Sequence, residues 1–315
     1  MEVAILSDTV QLSPEAIAFA EVLSSASAPL SEIELLRIRF EALHRATSEP
    51  EDVTYREVDA GGVAAIWAQP LNANTDFVLL HAHAGGTVLT SAAVDRKLAG
   101  HIAKSVGVPI LVLDFRLAPE NKYPAQLDDV ETAFRWLLAQ GYPAKNIITI
   151  GHSIGGTLAV AIAQRLRDAG EPLPGAIVSI SPAADLRFTN ETITSNAESD
   201  KVLNRPLIDF FRDAWIGGTG VAPDDPRVSL NLSDLSGLPP TLVSWGTYEI
   251  LAGEDEVLAG LLQEAGVTTK SLPVAGAQHS YILSAGRVPE TDRAIAAIGE
   301  WVRTTLAIAE GASVS

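Results

Sequence analysis

Ile147-Ile148-Thr149-Ile150-Gly151-His152-Ser153-Ile154-Gly155-Gly156 is the stretch that decides the fold. A run of strand-forming residues enters Gly151, and an amphipathic segment through Leu158 and Leu166 begins just after Ser153. Strand, sharp turn and helix in this order form the setting of a nucleophile elbow, in which GxSxG flanks a serine. The glycines are needed because a side chain there would strike the neighbouring backbone. The serine then stands at a helix N-terminus, where free amides and the helix dipole favour developing negative charge.

Outward from this block, short apolar runs alternate with amphipathic stretches. The runs are Phe77–Leu80, Ile110–Phe115, Ile147–Ile150, Ala176–Ile180, Thr241–Trp245 and a weaker one over Lys270–Val274. Helical spacing falls between them, near 91–106, 126–140, 154–169, 204–215 and 254–265, with 290–308 last. Near-continuous apolar strands separated by helices predict a mostly parallel sheet covered on both faces. Strand-like residues 53–59 and 63–68 flank Gly61-Gly62 and predict an opening hairpin. The fold class is therefore α/β, with a central sheet of about eight strands.

Two segments break the alternation. Residues 1–50 read as helices: Ser13-Pro14-Glu15 is a start signal, and Ser31 with Glu34 forms a capping box ahead of Ile33, Leu36, Phe40 and Leu43. Residues 184–226 are polar and irregular around Leu207–Trp215. Together they read as a cap over the C-terminal edge of the sheet, the alternative being decoration that only shields it. The core then comprises 51–183 and 227–308, with 309–315 as a flexible tail. Phe40, Phe210, Phe211 and Trp215 could line a pocket, although helical spacing favours core.

The 315 residues are 47% hydrophobic and 19% charged, which suits a folded domain with a large core. Lys and Arg number 22 against 39 Asp and Glu, a net charge of −17 that disfavours nucleic acid and anionic membrane partners. With no cysteine, disulfides, thiolate metal sites and a cysteine nucleophile are excluded. Glu2 and Asp8 leave no basic n-region in Met1–Val10, and no apolar run approaches a membrane span. A cytoplasmic protein is expected. Asn190-Glu191-Thr192 and Asn231-Leu232-Ser233 match the glycosylation pattern but lack the secretion signal that would give it meaning. A homodimer is open on these grounds.

A serine hydroxyl needs a base. Histidines stand at 44, 81, 83, 101, 152 and 279, and in the order Ser, acid, His that this fold demands only His279 lies far enough downstream. Glu249, the first carboxylate after the Thr241–Trp245 strand, is the candidate acid that would fix the imidazole tautomer. An oxyanion hole requires amides on the facing loop. His83-Ala84-Gly85-Gly86 occupies that place, so Gly85, Gly86 and Ile154 are the expected donors, with His83 and Ala84 supporting the loop.

Three blocks carry a family resemblance. His83-Ala84-Gly85-Gly86 resembles the HGGG loop of the hormone-sensitive lipase-like carboxylesterases among α/β-hydrolases. Asp114-Phe115-Arg116-Leu117-Ala118-Pro119-Glu120 with Tyr123-Pro124-Ala125 is similar to their DYRLAPE…YPA segment, and Gly151–Gly156 to their GDSAGG elbow. The resemblance spans about residues 50–305. It implies a cap built from the N-terminus and an insertion, an acid in a DPLRDE-like stretch that Glu249–Glu254 matches, and structural roles for Asp114, Arg116 and Glu120. Three positions depart: Ala84 for a glycine, His152 for an acidic residue, and Glu249 for Asp.

The activity so implied is hydrolysis of neutral, short- to medium-chain carboxylic esters through an acyl-enzyme on Ser153, with no metal or organic cofactor. A lactone hydrolase with the same residues is the alternative, and a non-catalytic binding protein on the same scaffold a further one. His81-Ala82-His83 also resembles the HxH metal site of amidohydrolase barrels, but the histidine and aspartate supply that fold needs is thin here.

Overall fold

A computed structural model describes residues 12–24 and 32–309. The chain opens with helices α1 (Pro14–Ser24) and α2 (Ile33–Leu43), then the hairpin β1 (Val53–Asp59) and β2 (Ala64–Pro70). There follow β3 (Val78–Ala82), α3 (Ala92–Val106), β4 (Ile110–Leu113), α4 (Ala125–Ala139), β5 (Ile147–His152), α5 (Ile154–Asp168) and β6 (Ala176–Ile180). The short α6 (Thr192–Ser195) and α7 (Arg205–Ile216) precede β7 (Thr241–Gly246), α8 (Ala252–Glu264), β8 (Thr269–Val274) and α9 (Pro289–Leu306). Every predicted strand and core helix is present, with ends that coincide or shift by one or two residues. Ser31 of the expected capping box lies outside the described residues, as do Met1–Val10 and the tail from residue 310. Glu32 is the N-cap of α2 and makes no side-chain capping bond, whereas Ser13 caps α1 through the amide of Ala16.

The eight strands form one sheet in the order β1-β2-β4-β3-β5-β6-β7-β8, in which β2 alone runs against its neighbours. Period-two alternation sorts the side chains. Val78, Leu80, Leu111 and Leu113 pack with α4 and α5, while Leu79, Ile110, Val112, Ile148 and Ile150 pack with α3 and α9. The chain leaves β3 toward β4 on one side and returns to β5 on the other. Loops from β3 and β5 therefore diverge over a crevice at the strands' C-terminal ends, where open α/β sheets bind ligands. Both predicted site loops leave the sheet there. Among the described residues no helix is long and apolar enough to cross a membrane.

Candidate active site

Ser153 occupies the tip between β5 and α5 with φ at +57°, a conformation a non-glycine residue holds only where its surroundings enforce it. Ser153 N–H donates to the Ile180 carbonyl at 2.8 Å, fastening the tip to β6. A Cβ on Gly151 would overlap the Gly155 backbone, and one on Gly155 would overlap the Ala82 carbonyl. The two glycines let helix, turn and β3 converge on the serine.

His279, only 2% exposed, comes from the loop after β8, and its Nε2 lies 3.0 Å from Ser153 Oγ. Its Nδ1 lies 2.5 Å from Glu249 Oε2. A carboxylate only accepts, so Nδ1 carries the proton and Nε2 is left as the acceptor for the serine hydroxyl. Glu249 is fully buried. Its Oε1 accepts from the Ser181 hydroxyl at 2.9 Å and the Gly246 amide at 2.8 Å. Asp255 lies buried beside it and is pushed well above the usual carboxylate range, by burial first and then by the Glu249 charge.

The loop after β3 meets the serine from the other side. His83 is buried, stacked on Phe115 with ring centres 4.0 Å apart, and burial pushes its pKa down to about 4. As a neutral ring it donates from Nδ1 to the Ala84 carbonyl at 2.7 Å, an oxygen that also accepts from Thr90 Oγ1 at 2.8 Å. Gly85, at φ +104°, has no room for a Cβ against the Leu89 carbonyl, and Gly86, at φ +61°, has none against the Phe211 ring. Ala84 is buried beneath them.

Beside Ser153 lies a cavity of about 30 Å³. Gly86 and Ile154 line it together with Leu186, Phe188, Ile208, Phe211 and Trp215, and Arg212 closes one side. Arg212 is held by Asp209 and Asp213 and lies over the Phe188 ring, so its charge is spent within the wall. Phe211 and Trp215 therefore belong to the pocket, while Phe40 and Phe210 pack into the core around Leu36, Val88 and Ala118. A larger open groove near Tyr123 and Arg165 holds none of the predicted site residues.

The supporting residues sort as follows. Glu120 receives a bidentate pair from Arg37 of α2 at 2.9 Å, Arg116 pairs with Asp129, and Asp114 accepts from the Ala92 amide. All three fasten loops. His81 and His83 turn to different partners, His81 to Asp95 at 2.5 Å, and among the described residues no three His, Asp or Glu side chains are placed to hold a metal ion. Sequence reasoning missed Ser181, Asn196 and Asp200. Asn196 donates to the Thr247 and Glu249 carbonyls, and Asp200 accepts from the Val202, Leu203 and Ile250 amides, so residues of the insertion hold the turn that carries Glu249. Only Ser181, a hydroxyl at the exit of β6, left a signal that could have been read.

Sheet order, elbow and the Ser–His–Glu array define an α/β hydrolase. Residues 79–283 match the family described as alpha/beta hydrolase fold, and the chain belongs to that family. Within it, the chain is a carboxylic ester hydrolase of the hormone-sensitive lipase-like group. A solved esterase of the bacterial hormone-sensitive lipase family matches it with a TM-score of 0.90 at 34% identity, over 94% of this chain and 100% of that one. An acetyl-hydrolase of Streptomyces hygroscopicus is 33% identical over 279 residues, 87% of this chain and 90% of the relative. An esterase of Acinetobacter venetianus is 31% identical over 268 residues, 84% of this chain and 87% of the relative.

Proposed function

We propose that the enzyme hydrolyses neutral esters with short acyl groups through an acyl-enzyme on Ser153. The observation that carries this reading is the unbroken hydrogen-bonded line from Ser153 Oγ through His279 to Glu249, opening on a small apolar cavity. Ser153 attacks the ester carbonyl as Nε2 of His279 takes its proton, and Glu249 stabilises the resulting imidazolium. The amides of Gly86 and Ile154, with that of Gly85, receive the oxyanion, while His83 and Ala84 keep the loop in place. His279 returns its proton to the leaving alkoxide, and water repeats the sequence to release the acid. The steps need no metal or organic cofactor.

Size supports a short acyl group. One water-sized sphere needs roughly 10–15 Å³, so about 30 Å³ admits about two or three such groups, which fits acetyl. That one relative is named an acetyl-hydrolase agrees with this. The described part of residues 1–50, with residues 184–226, makes up the proposed cap: Leu36 packs beside Val88, Leu89 and Phe211, and Phe188, Ile208, Phe211 and Trp215 roof the cavity. The test is initial rates on p-nitrophenyl esters of increasing acyl length, for wild type and Ser153→Ala. Turnover best on acetate and lost in the variant is expected. An optimum at long chains would overturn the size argument, and an active variant the acyl-enzyme.

A further inference from the structure

The turn that carries Glu249 has its backbone bonded from outside the sheet. Four consecutive carbonyls, those of Thr247, Tyr248, Glu249 and Ile250, each accept from a side chain of the insertion. Asn196 Nδ2 serves Thr247 at 3.1 Å and Glu249 at 2.9 Å, while Ser199 Oγ serves Tyr248 at 2.9 Å. Thr192 Oγ1 serves Ile250 at 2.8 Å, and the Ile250 amide in turn donates to Asp200 Oδ2 at 2.9 Å. Buried backbone groups must find partners, and a short turn between strand and helix supplies few of its own. Here residues 192–200 supply them.

Asp200 is the joint of this arrangement. Its side chain is buried, and its Oδ1 accepts from the Val202 amide at 2.9 Å and the Leu203 amide at 3.0 Å. Leu203 lines the cavity beside Ser153, and so does Leu251, the residue after Ile250. One carboxyl group thus fastens the cavity wall to the acid turn. The next amide along, that of Lys201, donates to Gln278 Oε1 at 2.9 Å, directly before His279. Three amide donors suit an ionised carboxyl, which only accepts. Burial pushes the Asp200 pKa above the ordinary carboxylate value, and His279 and the three amides act against that rise.

We propose that Asp200 is a positioning residue for ester hydrolysis, setting the rate through Glu249 by joining the turn that carries the acid to the segment that walls the cavity. The inference rests on Glu249 acting on His279 during turnover. Asp200 touches neither substrate nor reacting atoms, so its effect is geometric. A displacement of about 1 Å in a positioned group costs about 10²-fold in rate, and the 2.5 Å contact between His279 Nδ1 and Glu249 Oε2 leaves little slack. Asp200→Asn keeps the shape but turns an amide donor toward a backbone donor, which releases either the wall or the turn.

The experiment is a double-mutant cycle on p-nitrophenyl acetate, with kcat and KM measured for wild type, Asp200→Asn, Glu249→Ala and the double variant. Asp200→Asn is expected to lower kcat by about 10–100-fold and to leave KM within about threefold of wild type. In the Glu249→Ala background the same substitution should cost less than about threefold, because the group it positions is gone. Wild-type kcat in Asp200→Asn, a loss confined to KM or to melting temperature, or the same fold-loss with and without Glu249 would each overturn the proposal. If Asp200→Asn does not fold, Asp200→Glu enters the same cycle with the same expectation, since it keeps a carboxylate but displaces the turn by a methylene. Failure of the underlying reading looks different: Glu249→Ala alone at wild-type kcat removes Glu249 as the acid, and the proposal falls with it.

Discussion

Two histidine–carboxylate pairs of equal length lie in this molecule. His279 Nδ1 meets Glu249 at 2.5 Å, and His81 Nε2 meets Asp95 at 2.5 Å. All four side chains are buried. In the first pair the far ring nitrogen faces Ser153 Oγ, and the serine opens on a cavity. In the second, the far nitrogen has no partner, and the carboxylate's other oxygen turns to His44, after the N-terminal helices. Burial opposes the Asp95 charge, but hydrogen bonds from His44 and His81 outweigh it and hold that carboxyl well below the usual range. The pairing is therefore not the chemistry. A serine hydroxyl and free space at the other nitrogen suit one pair to the proposed proton transfer, while the other clamps β3, α3 and the turn after α2 into one unit.

Breaking the first pair should act on rate. Ser153→Ala and His279→Ala are each expected to lower kcat by about 10⁴–10⁶, and the double variant by little more, because the groups act as a unit. Single-turnover and steady-state rates on one ester series check this, with additive losses as the contrary result. Breaking the second should act on stability. Asp95→Ala leaves two buried imidazoles without their carboxylate and is expected to cost about 3–5 kcal/mol in denaturant unfolding. Its kcat at a permissive temperature should stay within about tenfold of wild type; a collapse of kcat with unchanged stability would erase the distinction between the pairs.

Smaller changes sharpen the same contrast. Phe211 packs on Gly86 and walls the cavity that only the first pair possesses. Phe211→Ala should raise the hexanoate-to-acetate ratio of kcat/KM by about tenfold or more, as expected for added apolar room. A last contrast is Glu254 in the first turn of α8, a buried carboxyl that lacks the imidazole both pairs enjoy. Burial, then the charge of Asp185, pushes its pKa up to about 9 from an ordinary 4.5. Between those values the folded chain keeps a proton that the unfolded chain has released, so this group lowers stability as pH rises. Glu254→Gln should therefore gain melting temperature over wild type progressively across that window and show no gain below it. A gain independent of pH would contradict the assignment.

Local pattern made much of this legible. Strands that are apolar on both faces announce a covered parallel sheet, and glycines that only a tight elbow requires mark Ser153. His279 and Glu249 followed from chain order, because the fold dictates which strand ends can reach the serine. The residues that hold Glu249 were not legible. Asn196 and Asp200 come from an irregular insertion with no periodicity, and their partners lie about fifty positions away. Asp95 was hidden for a related reason. In a helix it reads as an ordinary first-turn acid, and nothing local shows that its face is turned toward His81 and His44. Cap residues were ambiguous because Phe210 and Phe211 share one helix and one residue type, yet only Phe211 faces the serine cavity.

The most direct test of the acyl-enzyme is to mix wild-type enzyme with p-nitrophenyl acetate, quench in acid within one turnover, and map the digested chain by mass. The account predicts the mass of one acetyl group on the peptide containing Ser153, absent in Ser153→Ala. Rapid product release from wild type with no adduct on Ser153, or with the acetyl group on another residue, would contradict it.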